Sequence, residues 1–120
     1  TQADVYLPKI YQEISEIIST YQPNLIGIES LLFQKNVSTA ISVAEARGVI
    51  RLVAAQNNIP VIESAPTTIK LAVAGSGRAG KAEVTRMVGL LLGIEVSKKR
   101  DDELDALAVA ISTIVTNKNL

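Results

Sequence analysis

The sequence contains neither cysteine nor histidine. Without cysteine there is no disulfide framework, no thiolate metal ligand and no cysteine nucleophile. Without histidine, a Ser-His-Asp triad and an imidazole metal site are excluded as well. Acid chemistry therefore falls to carboxylates, and base chemistry to carboxylates, lysine or water. Aromatic residues are scarce, with one Phe, three Tyr and no Trp, so Leu, Ile, Val and Ala have to fill the core. No apolar run reaches the length of a membrane span, and no signal peptide opens the chain, which leads us to expect a cytoplasmic protein with no membrane partner. The chain starts at Thr1 rather than Met, as a processed chain or a fragment would.

What remains is enough for one domain, expected over 1–120, since 120 residues of which 48% are hydrophobic support a packed core. Positive and negative charges balance overall but not locally. Residues 1–34 and 101–120 are net acidic, and 35–62 and 63–100 are net basic. A basic stretch followed by a carboxylate cluster suits a metal-dependent enzyme acting on a polyanion, although chance also produces it.

Apolar spacing predicts a first helix with Leu7, Ile10, Tyr11, Ile14, Ile17, Ile18 and Tyr21 on one face, Pro8 in its first turn and Pro23 ending it. The short apolar runs 25–29 and 59–64 read as buried strands, separated by a helix from Asn36 to Asn57. Three more helices follow. One ends at Gly75, one spans 81–93 with Val84, Met87, Val88, Leu91 and Leu92 inward, and one runs from Asp101 to Thr116 with Leu104, Leu107, Ala108, Ile111 and Val115 inward. A strand-helix-strand unit with apolar strands implies a parallel pair joined by a right-handed crossover. Two strands make a poor sheet on their own, so part of a sheet is expected to lie outside this sequence. The helix 36–57 has two apolar faces: Val37, Ile41, Ala44, Gly48, Leu52 and Ala55 on one, Val43, Ala46, Ile50, Val53 and Ala54 on the other. One face suffices to cover a sheet; the second needs a later helix or another molecule.

Gly75, Gly77 and Gly80 spell G-x-G-x-x-G, followed at once by Lys81. A dinucleotide fingerprint would follow a strand directly, and this one follows a helical segment. A Walker A loop would continue with Ser or Thr, and residue 82 is Ala. A helix-to-helix connector is the favoured reading; it still brings Arg78 and Lys81 to a helix N-terminus, where anions are stabilised. Among the carboxylates, Glu29 ends an apolar strand, at the edge where open α/β folds place ligands, or is simply a solvated strand end. Asp101, Asp102 and Glu103 complement a helix dipole. Asp105 lies beyond the first turn, three residues after Asp102 on the same face. Two carboxylates there with Glu29 nearby repel each other unless a cation such as Mg²⁺ lies between them.

The stretches NLIGIESLLFQKNVSTAISVAEARGVI, IPVIESAPTTIKLAVAGSGRAGKAEVTRMV and DDELDALAVAI, in this order over nearly the whole chain, resemble the RuvC family of bacterial Holliday junction resolvases. The resemblance implies an α/β fold similar to ribonuclease H, truncated at its N-terminus, with two parallel strands and flanking helices. It implies that Glu29, Asp102 and Asp105 are catalytic metal ligands, and that Phe33, Lys70, Arg78 and Lys81 contact DNA. It further implies two Mg²⁺ ions per complete site, with Mn²⁺ able to substitute, and hydrolysis of phosphodiesters in four-way junction DNA by paired symmetric nicks. A homodimer through helix 36–57 and the branch-migration proteins RuvA and RuvB are the implied partners. The family opens with three antiparallel strands whose first carries an Asp; no such segment precedes the first helix here, so the isolated chain is expected to be inactive or nearly so. The alternatives are a related ribonuclease H-like nuclease on other DNA, a non-catalytic DNA-binding or assembly fragment, and a nucleotide-binding module using the glycine loop.

Overall fold

A computed structural model describes residues 2–30 and 37–117. In chain order the elements are α1 (Gln2–Tyr21), β1 (Ile26–Glu29), α2 (Val37–Gln56), β2 (Val61–Ser64), α3 (Pro66–Ala74), α4 (Lys81–Leu92), a single 3-10 turn (Val96–Lys98) and α5 (Asp101–Thr116). This is an α/β order, as expected. No helix among the described residues is long and apolar enough to cross a membrane.

The two strands pair in parallel. The Ile26 amide donates to the Pro60 carbonyl at 3.1 Å, and the Ser30 amide to the Ser64 carbonyl at 2.8 Å, a constant register along both strands. All four β1 residues are only half-buried, where the sequence suggested full burial. A sheet of two strands, as formed by the described residues, leaves strand surface uncovered.

The chain divides into two compact units, one of residues 1–26 with 31–61 and one of 27–30 with 62–120. In the first, α1 packs on α2. Ile18 is buried and Leu7, Ile10 and Ile14 are half-buried, whereas Tyr11, Ile17 and Tyr21 point outward. The buried stripe is thus narrower than the apolar spacing suggested, because α2, the helix that α1 packs on, covers only a narrow arc. Tyr11 is exposed yet anchored, its hydroxyl donating to Gln56 Oε1 at 2.5 Å. Pro8 lies inside α1 rather than in its first turn, because the helix starts six residues earlier than Pro8. Gln22 ends the helix in a left-handed conformation, its amide donating to the Ile18 carbonyl at 2.8 Å, and Pro23 prevents continuation.

The two faces of α2 have different fates. Val53 and Ala54 are fully buried and Val43, Ala46 and Ile50 half-buried. On the other face Ile41, Ala44, Gly48, Leu52 and Ala55 are exposed, Ile41 at 56% and Leu52 at 50%.

The second unit has its core where α3, α4 and α5 meet, built from Ile69, Val73, Val88, Leu104, Ala108, Val109 and Ile111. Two glycines in left-handed conformation set the helix lengths: Gly75 caps α3 and Gly93 caps α4. Leu91 and Leu92, expected inward, are exposed. By that point on α4 the packing has passed to Gly89, whose missing Cβ would lie 2.9 Å from Val96 Cγ1 of the 3-10 turn. Val115 is exposed too, while Ser112 and Thr113 are buried. The reason is a close approach of β1 to α5: a Cβ on Gly27 would fall 2.0 Å from Thr113 Oγ1. Thr113 spends its own hydroxyl proton on the Val109 carbonyl at 2.7 Å, so a polar side chain fits this tight contact without an orphaned donor.

Candidate functional site

Three helix starts and a strand end supply the polar residues of one cleft in the second unit. Ala65 holds an extended conformation and Pro66 opens α3 with its fixed φ, which sets Ile69 inward and Lys70 beside it. After the Gly75 cap, Ser76–Ala79 form a turn closed by the Ala79 amide on the Ser76 carbonyl at 3.1 Å. Ala79 is buried and pins that turn. Gly80 is extended and serves as N-cap, so Lys81 becomes the first residue of α4. The connector reading of the glycine loop holds: it is a tight turn between two helices.

A cleft of about 340 Å³ opens here. Its floor is apolar, with Ile69, Val84, Ala108 and Val109; its polar lining is Glu29, Lys70, Lys81 and Asp105. Glu29 reaches it because it stands two residues after Gly27 on the same strand face, the face that approaches α5. Asp105 reaches it from the second turn of α5.

The Lys81 ammonium donates to Asp105 Oδ1 and lies 3.3 Å from Asp101 Oδ1. A positive charge at the first position of a helix opposes the helix dipole. The two carboxylates offset that, and the hydrogen bond to Asp105 holds the ammonium above the ordinary lysine range. The pair stays open to water, with the Lys81 and Asp105 side chains 55% and 51% exposed.

Of the residues singled out in the sequence, the structure brings Glu29, Asp105, Lys70 and Lys81 into one cleft. Asp102 does not line it. Its Oδ1 accepts from the Glu103 amide at 3.0 Å and lies 3.6 Å from Arg100 Nε. Arg78 is exposed on the turn, its amide donating to Ser76 Oγ at 3.2 Å, and is not in the lining. Phe33 lies outside the described residues. Asp101 was missed by sequence reasoning as anything but a dipole partner; its spacing of four from Asp105 is the signal that both can meet one cation.

Among the described residues no three acidic side chains gather closely enough to hold a metal by themselves. Two carboxylates, Glu29 and Asp105, do share the cleft. Carboxylate oxygens of this kind suit a hard divalent cation, which takes oxygen ligands and completes its coordination with water. The ammonium on Asp105 is a cation standing where such an ion would be attracted.

The family model described as crossover junction endodeoxyribonuclease RuvC matches residues 1–113. A protein of that description from Moorella thermoacetica is 50% identical over 105 residues, which is 88% of this chain and 63% of the relative. Another from Pseudothermotoga lettingae is 48% identical over 104 residues, 87% of this chain and 64% of the relative. The chain thus spans a little under two thirds of the length of these relatives. Among solved structures, T. thermophilus RuvC in complex with Holliday junction substrate superimposes with a TM-score of 0.90 at 28% identity, covering 95% of this chain and 69% of that one. A second, titled Thermus thermophilus RuvC structure, gives 0.89. The α/β fold of ribonuclease H type implied by the sequence resemblance is therefore borne out over the matched length. With the family model matching nearly end to end and the fold matching with it, the chain belongs to the RuvC family.

Proposed function

We propose that this chain forms a RuvC-like nuclease domain over 1–120 that binds four-way DNA junctions and, in the protein as its gene encodes it, cleaves them by paired nicks. The observation that carries this reading is one cleft with two carboxylates and two lysines, in a chain of this family. Glu29 and Asp105 present oxygens to Mg²⁺, with Mn²⁺ as a substitute, and Lys70 and Lys81 hold the phosphate of the strand to be cut. Bound metal supplies charge stabilisation of the leaving oxygen and a nucleophilic water at neutral pH. The apolar floor, Ile69, Val84, Ala108 and Val109, gives the lining side chains a fixed base and keeps bulk water from that side. Asp102, one turn before Asp105, belongs to the same ligand set in this reading, and needs its carboxylate to leave Arg100. Arg78 extends the phosphate contacts beyond the cleft, and Phe33 meets the bases near the crossover. RuvA and RuvB are the partners proposed by family, and the cytoplasm the compartment.

The exposed face of α2 supports a homodimer through that helix, with Ile41 and Leu52 as its apolar contacts. A two-fold dimer matches the two-fold symmetry of a junction and gives one cleft per nicked strand.

The test is Mg²⁺-dependent cleavage of a four-way junction by the protein as its gene encodes it. Asp105→Asn and Glu29→Gln are expected to lower cleavage by at least about a hundredfold, on the scale of losing a metal ligand, while junction binding in a gel shift is kept. Loss of binding together with cleavage, or cleavage unaffected by either substitution, overturns the assignment. ATP or NAD binding at the glycine loop would favour a nucleotide-binding module instead.

A further inference from the structure

The cation on Asp105 is part of the chain itself, and this has consequences for how the cleft loads. Lys81 reaches Asp105 from another helix, α4, and is held there by two acids on α5. Asp105 faces the cleft with Glu29, while Asp101 is not part of the lining. One exposed carboxylate cannot hold an ammonium and a divalent cation at full strength, since the two cations repel. An ion pair this exposed is also a modest one, easily exchanged.

Resting on the function proposed above, we propose that Lys81 is the exchangeable internal counter-ion of Asp105. A divalent cation displaces the ammonium from Asp105. Asp101 keeps it at the cleft mouth, and a phosphate of bound DNA then takes it up. Asp101 is thereby a positioning residue, acting through Lys81. Because linkage is reciprocal, a phosphate that draws Lys81 off Asp105 favours the divalent cation, and the divalent cation favours the phosphate. The cleft loads with metal most readily when substrate is present.

The experiment is a titration of the chain with Mn²⁺, followed by electron paramagnetic resonance of the free ion, in the wild type, Lys81→Ala, Lys70→Ala, Asp105→Asn and the double variant Lys81→Ala, Asp105→Asn. Lys81→Ala is expected to tighten Mn²⁺ binding about two- to fivefold, the range of an exposed ion pair. Lys70→Ala removes the same charge from the same cleft lining and is expected to produce less than half that gain. In the Asp105→Asn background, Lys81→Ala is expected to lose its effect, the signature of direct coupling. A second arm measures junction affinity with and without Ca²⁺. The gain on adding Ca²⁺ is expected to be larger in the wild type than in Lys81→Ala.

Equal tightening by Lys70→Ala, tightening that persists without the Asp105 carboxylate, or no Mn²⁺ binding by any variant overturns the proposal. A chain that behaves as expected with Mn²⁺ but does not bind junctions overturns the functional reading alone. A chain that binds junctions while its Mn²⁺ affinity ignores Lys81 overturns counter-ion exchange alone.

Discussion

Helices α2 and α5 are both rich in apolar residues, and they use them differently. In α5 the buried positions Leu104, Ala108, Val109, Ile111, Ser112 and Thr113 form one broad face turned toward the core of its unit, and its first turn is acidic and exposed. In α2 the apolar residues fall on two faces, and among the residues whose side chains are described only the face with Val53 and Ala54 is covered. The difference teaches that apolar content alone does not measure what a chain buries within itself. Most of the hydrophobic surface of α5 is consumed by folding, with Ile114 and Val115 left exposed only near its C-terminal end; on α2 a whole face is left over, as a surface for another molecule would be.

The sharpest way to break this comparison is to put the same kind of charge on each surface. Ile111→Asp in α5 buries an unpaired carboxylate in the α3–α4–α5 core and is expected to cost about 4 kcal/mol or more, enough to abolish cooperative thermal unfolding seen by circular dichroism. A cooperative melt near the wild-type temperature would show that this core is not what holds the unit. Gly27→Ala comes next. The new methyl meets Thr113 Oγ1 and Cβ, and since the Thr113 Cβ is fixed to its helix, β1 or α5 has to move, at about 1–3 kcal/mol. Thr113→Ala, which removes the clashing oxygen, is expected to recover part of that loss; if the double variant is no more stable than Gly27→Ala alone, the close approach is not the cause.

The smallest effect is expected on α2, at one of two adjacent positions that contrast sharply. Val53→Glu is expected to destabilise by about 3 kcal/mol, because Val53 is fully buried, whereas Leu52→Glu is expected to change stability by no more than about 0.5 kcal/mol. Sedimentation adds the second readout. If the bare face carries a dimer, Leu52→Glu is expected to yield folded monomer from a dimeric parent. A parent chain monomeric at high concentration removes the dimer from the proposal.

Much of this was legible in the sequence. The ends of α3 and α5 fall where Gly75 and the run of acids at 101–103 place them, because capping and dipole effects are local. The two apolar faces of α2 were legible from periodicity. Which face is covered was not, since the answer depends on α1, an element distant in sequence. The outward turn of Leu91, Leu92 and Ile17 was equally hidden: periodicity finds apolar positions, and only the neighbours decide which are enclosed. For the cleft, strand-end position made Glu29 a candidate and helical spacing made Asp105 one, each beside a plain structural alternative, and the family resemblance selected them; both line the cleft. The partnership of Lys81 with Asp101 was not readable, because it joins two helices whose starts meet only after folding. Asp102 shares the spacing that marked Asp105 but not its surroundings: its carboxylate is exposed, 3.6 Å from Arg100 Nε, and does not line the cleft.

The contact between Gly27 and Thr113 works as a gauge. It fixes how far β1 stands from α5, and Glu29 and Asp105 ride on those two elements. The width between the two carboxylates is therefore set at a place that touches neither of them. A side chain of increasing size at position 27 would act as a shim, opening the cleft in steps too small to see in a fold and large enough to spoil the ion site proposed for these two carboxylates. In a mutational scan, position 27 should accordingly look like a site residue while having no chemistry of its own.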